Sequence, residues 1–350
     1  MTGATEPELR RWSGIFFRLR REGGGCLPGV FMDVSVLIVN YNTCELLDAC
    51  LASLARETRC DYEVIVVDNA SRDSSAEMVR HRHPSVKLVV NRSNVGFASA
   101  NNQASRLAEG HYLLFLNPDT VILESAIDRL AAFLDAHPGV GVCGPCHLDA
   151  DGRPVSSAFR FPTFWNSFWH SMYMTPLRPI AVRRGQARRY ALDGEHVQDV
   201  DSVQGSGLMI RAQLFREIQG FDEHFFMYNE EIDLCYRVHR AYQRVTYIPW
   251  VTILHYGGAS VRSVDEVKAF GKIGRYVLQS EYYFLRKTYG VLPSFALRAT
   301  DLLVATLLAT GSQVQRDLQK KARLAALAKL FSSAALTPVG AERGKRCDDH

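Results

Sequence analysis

An α/β fold with a mostly parallel, nucleotide-binding sheet is predicted by three features of this sequence. Short continuous apolar runs alternate with segments of helical periodicity from Val34 onward, and each run stops at a cluster of Asn, Asp or Gly. The fourth run, Tyr112–Leu116, ends abruptly at Asn117-Pro118-Asp119. Apolar runs without alternation are the signature of strands buried on both faces. Strand-helix alternation implies right-handed crossovers, which bring the polar strand ends to one edge of the sheet.

Taken in order, Val34–Val39 is the first strand and ends in Asn40-Tyr41-Asn42-Thr43. Leu46, Leu47, Cys50, Leu51 and Leu54 follow at helical spacing, with Thr43 placed as a cap. Val64–Val67 is the second strand, ending in Asp68-Asn69-Ala70-Ser71. A helix near Ser74–Arg82 leads to a third strand, Val86–Val90, then to the turn Asn94-Val95-Gly96-Phe97 and a helix over Ala98–Ala108. The shared edge therefore collects Tyr41, Asp68, Gly96, Asn101, Asn117 and Asp119. An aromatic ring can pack a base, a carboxylate can accept from base or ribose, and glycine lets backbone approach phosphate. Each residue alone is equally at home in a cap or turn, so the common edge carries the reading. Pro118 holds Asn117 extended where Asp119 would project into the crevice, and hard cations such as Mg2+ or Mn2+ bridge carboxylates to phosphates. Asp119 is thus the first candidate metal ligand, the alternative being a turn that caps the next helix.

Past Pro145 the regular alternation ends. Phe159–Trp169 is rich in aromatics and reads as a packed helix or an acceptor wall, with core packing favoured. Arg183–Gln198 lacks apolar periodicity and reads as a mobile loop. Val200–Arg211 is ordered, with Gly205-Ser206-Gly207 set among apolar residues as at a bulge or a close backbone approach to a ligand. Glu230, Glu231 and Asp233 occupy the first turn of a helix whose apolar face is Leu234, Val238 and Ala241. Acids there complement the helix dipole, and Asp233 can pair with Arg237; a carboxylate so held can also serve as a general base. Arg244–Ile248 and Thr252–Tyr256 read as two strands, the second carrying His255, a packed core residue or a metal ligand.

Composition narrows the function classes. A hydrophobic content of 47% indicates a folded globule, and a net charge of +4 is too small to imply nucleic-acid binding. Eight cysteines without framework spacing, and no secretory leader pattern, indicate a reducing, cytoplasmic setting. Cys143-Gly144-Pro145-Cys146 has thioredoxin-like spacing but leads into a turn rather than a helix, and no second pair completes a zinc site. The absence of G-x-G-x-x-G and of a Walker lysine disfavours dinucleotide and ordinary ATP sites.

With these pieces in order, the chain resembles the family 2 inverting glycosyltransferases of the GT-A fold, in their rhamnosyltransferase-like branch. The resemblance covers about Val34 to Lys287. It rests on V-S-V-L-I-V-N-Y-N, V-V-D-N-A-S, N-V-G-F-A-S-A-N-N, L-F-L-N-P-D-T, G-F-D-E-H-F-F-M-Y-N-E-E-I-D-L-C-Y-R and H-Y-G-G-A-S. It implies a nucleotide-binding sheet over 32–145, continuous with a mixed acceptor half over 146–290. It further implies that Asp119 matches the metal-binding acid of the D-x-D motif and that Tyr41 and Asp68 lie at the nucleoside. Glu231 matches the usual base, and His255 a histidine that helps bind Mg2+ or Mn2+ and diphosphate. Asn117 replaces the first acid of D-x-D and is grouped with the nucleotide-binding residues, while Glu230 is a possible substitute base. The implied reaction moves a sugar, with L-rhamnose from dTDP-rhamnose the best match, from a nucleoside-diphosphate donor to a saccharide or polyprenyl-diphosphate-linked saccharide. The competing reading is a catalytically inactive nucleotide-sugar-binding scaffold, against which the presence of both Asp119 and Glu231 argues. A nucleotidyltransferase would need a Gly-rich basic phosphate loop after the first strand, and Asn40-Tyr41-Asn42 is not one.

Two flanks complete the chain. Residues 1–31 carry Gly23-Gly24-Gly25 and an Arg-aromatic stretch, reading as a linker, an amphipathic arm, or sequence upstream of a start at Met32. Residues 291–350 read as helices with a disordered tail. Ser294–Leu330 combines leucines with Lys320, Lys321 and Arg323, and Arg298 and Asp301 interrupt the apolar run. It is expected to lie in the interface at the inner face of the cell membrane, or to pack as ordinary amphipathic helices.

Overall fold

The computed structural model describes residues 32–172, 190, 194–257, 266–314 and 318–337. The expected extension over 1–31, the run Arg183–Arg189 and the tail from 338 lie outside the described residues.

Four strands, β1 (Val34–Asn40), β2 (Tyr62–Asp68), β3 (Lys87–Val90) and β4 (Tyr112–Leu116), pair in parallel in the order β3-β2-β1-β4. Between them run helices α1 (Cys44–Glu57), α2 (Ser75–Arg82) and α3 (Phe97–Ser105). Strand β1 shows why the apolar runs are unbroken. Val34, Val36 and Ile38 enter a core with Leu47, Leu51 and Leu54 of α1, whereas Leu37 and Val39 enter another with Ala100 and Ala104 of α3. Thr43 precedes α1 but does not cap it, because its hydroxyl donates to Asn40 Oδ1 at 2.6 Å.

The sheet continues without a break into a mixed half. Beside β4, in order, lie β11 (Gly207–Arg211), β6 (Val140–Leu148), β12 (Arg244–His255) and β5 (Thr120–Ile122), with β11 antiparallel to both its neighbours and β12 parallel to β6. Cys143 and Cys146 are free thiols buried within β6. The two strands expected over 244–256 are one. A register shift between Ile248 and Thr252 absorbs Pro249, which cannot donate to a ladder, and the strand resumes. Gln198–Asp199, which begins at the last residue of the expected loop, pairs with β12 as a short strand, β9.

Helix α4 (Ala126–Ala136) covers the first core. Helix α5 (Phe164–Ser171) starts from a capping box in which Thr163 N donates to Asn166 Oδ1 at 2.7 Å. Its Phe164, Phe168 and Trp169 pack on a third core, as expected for core aromatics, while Trp165 is exposed. That core is built by α8 (Glu266–Tyr289), α9 (Val291–Val314) and α10 (Leu318–Leu336). Residues 291–313 form a helix long and apolar enough to cross a membrane by length and composition, despite Arg298 and Asp301. Both charges are turned inward. Arg298 Nε donates to Ala335 O at 2.8 Å, and buried Asp301 accepts from Tyr282. The outer face carries Leu292, Phe295, Ala299, Leu303 and Leu307 with no charged side chain among them.

Candidate active site

The parallel strands deliver their polar ends to one edge, but individual residues there have different occupations. Tyr41 is half-buried just beyond β1. Asp68, at the end of β2, is buried and accepts from Asn40 Nδ2 and from the Ser71 amide, both at 3.0 Å. It therefore holds two strand ends together as well as facing the edge. Gly96 has φ +86, and a Cβ there would meet Phe226 O at 2.6 Å. The space its missing side chain leaves is filled by the Phe226 backbone, to which Phe97 N donates at 2.8 Å, rather than left for a phosphate. Asn101 lies wholly buried in α3, its Nδ2 on Phe97 O at 3.1 Å and its Oδ1 without a partner among the described residues.

Beyond β4 the chain turns through Asn117, whose amide donates to Ser206 O at 3.3 Å and whose carbonyl accepts from Thr120 Oγ1 at 2.7 Å. This places Asp119 opposite β12, where Tyr256 N donates to Asp119 O at 3.0 Å. The pairing Thr120–His255 in the β5–β12 ladder brings His255 Nε2 to 3.3 Å from Asp119 Oδ1. Both side chains are about nine-tenths enclosed, and among the described residues His255 Nε2 accepts or donates no hydrogen bond. A carboxylate oxygen beside an unsatisfied imidazole nitrogen is a donor set that suits Mn2+ or Mg2+. Among the described residues no three His, Cys, Asp or Glu converge, so the pair fits an ion whose remaining ligands are substrate oxygens and water.

The second acidic element is α7 (Glu230–Arg240). Tyr228 and Asn229, which lead into it, are both left-handed at φ 70 and φ 65, a conformation uncommon for residues with a Cβ. Glu231 Oε2 and Glu230 Oε2 are enclosed and have no hydrogen-bond partner among the described residues. Burial pushes the Glu231 carboxyl up to about 7, and burial together with the charge of Glu231 holds Glu230 well above the usual carboxylate range. Asp233 is occupied differently. It pairs with Arg237 at 2.8 Å, the expected one-turn partner, and also with Lys287 at 2.6 Å, which ties α7 to α8.

The turn Gly205-Ser206-Gly207 joins these two parts. A Cβ at Gly205 would touch Glu231 Cβ at 3.4 Å; one at Gly207 would collide with Ile253 Cδ1 at 2.7 Å and crowd His147 Nε2 at 3.2 Å. The close backbone approach anticipated from the glycines is thus to protein groups, with Glu231 on one flank and the His255 strand on the other. Sequence reasoning missed His147 altogether. It is 1% exposed in β6, packs edge to face on His255 with ring centroids 5.3 Å apart, and burial, then His255, push its imidazole down to about 3. Its neighbourhood exists only through the β6–β12 pairing, which leaves no local signal.

Comparison with known proteins agrees with this geometry. The family model described as glycosyl transferase family 2 matches residues 35–183. The N-acetylglucosaminyl-diphospho-decaprenol L-rhamnosyltransferase of Mycobacterium tuberculosis is 29% identical over 232 residues, 63% of this chain and 75% of that protein. Rhamnosyltransferase WbbL of Escherichia coli is 25% identical over 263 residues, 73% of this chain and 93% of that protein. Among solved structures, GalNAc-T7 with UDP, GalNAc and Mn2+ superposes with a TM-score of 0.52 at 16% identity, over 73% of this chain and 48% of that one, a likeness of fold alone. With the family model spanning the parallel sheet, rhamnosyltransferase relatives along most of their length and the continuous mixed sheet described above, the chain carries a glycosyl transferase family 2 domain over residues 35–183 in a sheet of the GT-A fold.

Proposed function

We propose that this enzyme transfers a sugar, L-rhamnose from dTDP-rhamnose, to a polyprenyl-diphosphate-linked saccharide in cell-surface polysaccharide assembly, by a single displacement that inverts the anomeric centre. The observation that carries this reading is the placing of two acids on either side of Gly205-Ser206-Gly207: Asp119, paired with His255, and Glu231, whose Oε2 has no hydrogen-bond partner among the described residues. A relative named for rhamnosyl transfer to N-acetylglucosaminyl-diphospho-decaprenol supports the choice of donor and acceptor class, and a second named a rhamnosyltransferase supports the donor.

In this scheme Tyr41 and Asp68 receive the nucleoside, with Asn117 beside the diphosphate. A divalent ion, Mg2+ or Mn2+, held by Asp119 and His255 would offset the negative charge that develops on the leaving nucleoside diphosphate. Glu231 accepts the proton of the acceptor hydroxyl as that oxygen attacks the anomeric carbon, and the nucleoside diphosphate departs from the opposite face. A carboxyl raised to about 7 is suited to that step, because it is a stronger base than an exposed glutamate and is still substantially ionised near neutral pH. The uncharged outer stripe of α9 supports peripheral attachment at the inner face of the membrane, where a lipid-linked acceptor is presented.

A donor panel with Mn2+ and a short polyprenyl-diphosphate-GlcNAc acceptor, scored by nucleoside-diphosphate release, tests the proposal. Acceptor-dependent release with dTDP-rhamnose above all other donors is expected. Release with another donor only would replace the sugar, and no release with any donor would leave the scaffold reading in its place.

A further inference from the structure

We infer that His147 is a positioning residue of the metal pair: its imidazole, packed edge to face on His255, fixes the plane in which His255 presents Nε2 toward Asp119. The inference rests on Asp119 and His255 being the metal pair. A metal-ligating histidine is ordinarily oriented by a hydrogen bond from its other ring nitrogen to a carboxylate, a carbonyl or water. Among the described residues the His255 imidazole has no hydrogen bond, its one polar contact being that to Asp119 Oδ1 at 3.3 Å. What lies against the ring is His147, with centroids 5.3 Å apart and planes at 73°. Edge-to-face packing of this kind has a preferred geometry and so restricts rotation.

His147 is itself well held. It sits in β6 opposite Ile253 of β12, two residues before His255, and is 1% exposed. Its Nδ1 lies 3.4 Å from Ser206 Oγ, and Gly207, with no room for a Cβ, closes over Nε2 alongside Pro145 and Ile253. Ser206 in turn accepts the Asn117 amide, so one imidazole backs both the His255 ring and the turn before Asp119. It is not a third ligand in this arrangement, since no three His, Cys, Asp or Glu converge among the described residues.

The test is Mn2+ binding to the full chain, read from loss of the free-ion electron paramagnetic resonance signal with and without dTDP. Replacing a partner that orients a ligand typically weakens metal binding by about 10- to 100-fold, so His147→Leu is expected to lose at least about tenfold in Mn2+ affinity. His147→Phe, which keeps an aromatic edge against His255, is expected to stay within about threefold of wild type. dTDP binding in chelator should be the same in all three proteins. Should His147→Leu fail to fold, His147→Gln takes its place with the same expectation; should that fail too, His147→Phe decides alone. Wild-type protein that takes up no Mn2+ would overturn the metal-pair assignment and this inference with it. Wild-type uptake with unchanged affinity in folded His147→Leu or His147→Gln would overturn this inference alone, as would a His147→Phe protein that loses tenfold.

Discussion

Raising the pH from about 4.5 to about 8 is expected to make the enzyme less stable and more active over one interval, because three carboxyls raised by burial, Glu231, Glu230 and Asp301, lose their protons there and Glu231 is the one the proposed reaction uses. Its carboxyl is raised by burial from 4.5 to about 7. Between those values the folded chain keeps a proton that the unfolded chain has released, so stability is greatest below the unfolded pKa and falls as pH rises through the folded one. At 1.36 kcal/mol per pKa unit the full difference is about 3 kcal/mol. Because the residue is partly exposed although Oε2 is enclosed, roughly half of that is a fairer expectation after solvent screening. Glu230 shifts in the same direction, so the two acids titrate as a pair. Catalysis needs the carboxylate, so kcat/KM should rise across the same interval with an apparent pKa near 7. Urea unfolding at stepped pH, alongside initial rates on the same preparation, measures both. Glu231→Gln should flatten part of the stability slope and abolish turnover, whereas Glu230→Gln and Asp301→Asn should each flatten part of it and leave turnover. A wild-type stability curve flat from pH 5 to 8, or a kcat/KM plateau reached by about pH 5, would refute the assignment of a buried, raised base.

Other expectations follow from the remaining contacts. Asp119→Asn should abolish the Mn2+ enhancement of nucleoside-diphosphate binding in calorimetry while leaving binding in chelator intact; an enhancement equal to wild type would remove Asp119 from the metal site. Lys287→Met strips one of two cations from buried Asp233 and should cost about 1–3 kcal/mol in urea unfolding, less than a complete break because Arg237 remains at 2.8 Å. Replacing Leu303 and Leu307 by Ser should reduce flotation with anionic liposomes at low salt without changing the melting temperature, since both side chains are more than half exposed; unchanged flotation would make α9 an ordinary packed helix. A chain beginning at Met32 should fold and turn over like the full chain on a soluble acceptor, because β1 begins at Val34.

Much of the nucleotide half was legible because strands buried on both faces leave an unmistakable trace. Val34–Val39 and Tyr112–Leu116 are apolar at every position save Ser35, and their polar ends sit on one edge because all four strands run parallel. What sequence alone could not give were contacts made across the sheet. Gly96 reads as a phosphate glycine until Phe226, brought in from the far half, is seen to fill the space beside it. Pro249 reads as a break between two strands, yet a register shift lets one strand pass through it. Arg298 and Asp301 read as interruptions of an apolar helix, whereas both turn inward onto Ala335 and Tyr282 and leave the outer face uncharged. Asp233 was legible as a partner of Arg237 at one-turn spacing, but its second partner, Lys287, lies on a separate helix. In each case the local pattern was visible in the sequence, and the tertiary neighbour determined which role it took.

The proposed reaction is tested most directly by proton NMR of the anomeric signal during turnover of dTDP-rhamnose, Mn2+ and a polyprenyl-diphosphate-GlcNAc acceptor, run in parallel with wild-type and Glu231→Gln enzyme. A single product whose anomeric configuration is opposite to that of the donor, formed by wild type and absent with Glu231→Gln, is the expected result. A product of retained configuration, or undiminished turnover by Glu231→Gln, would contradict a single displacement driven by Glu231.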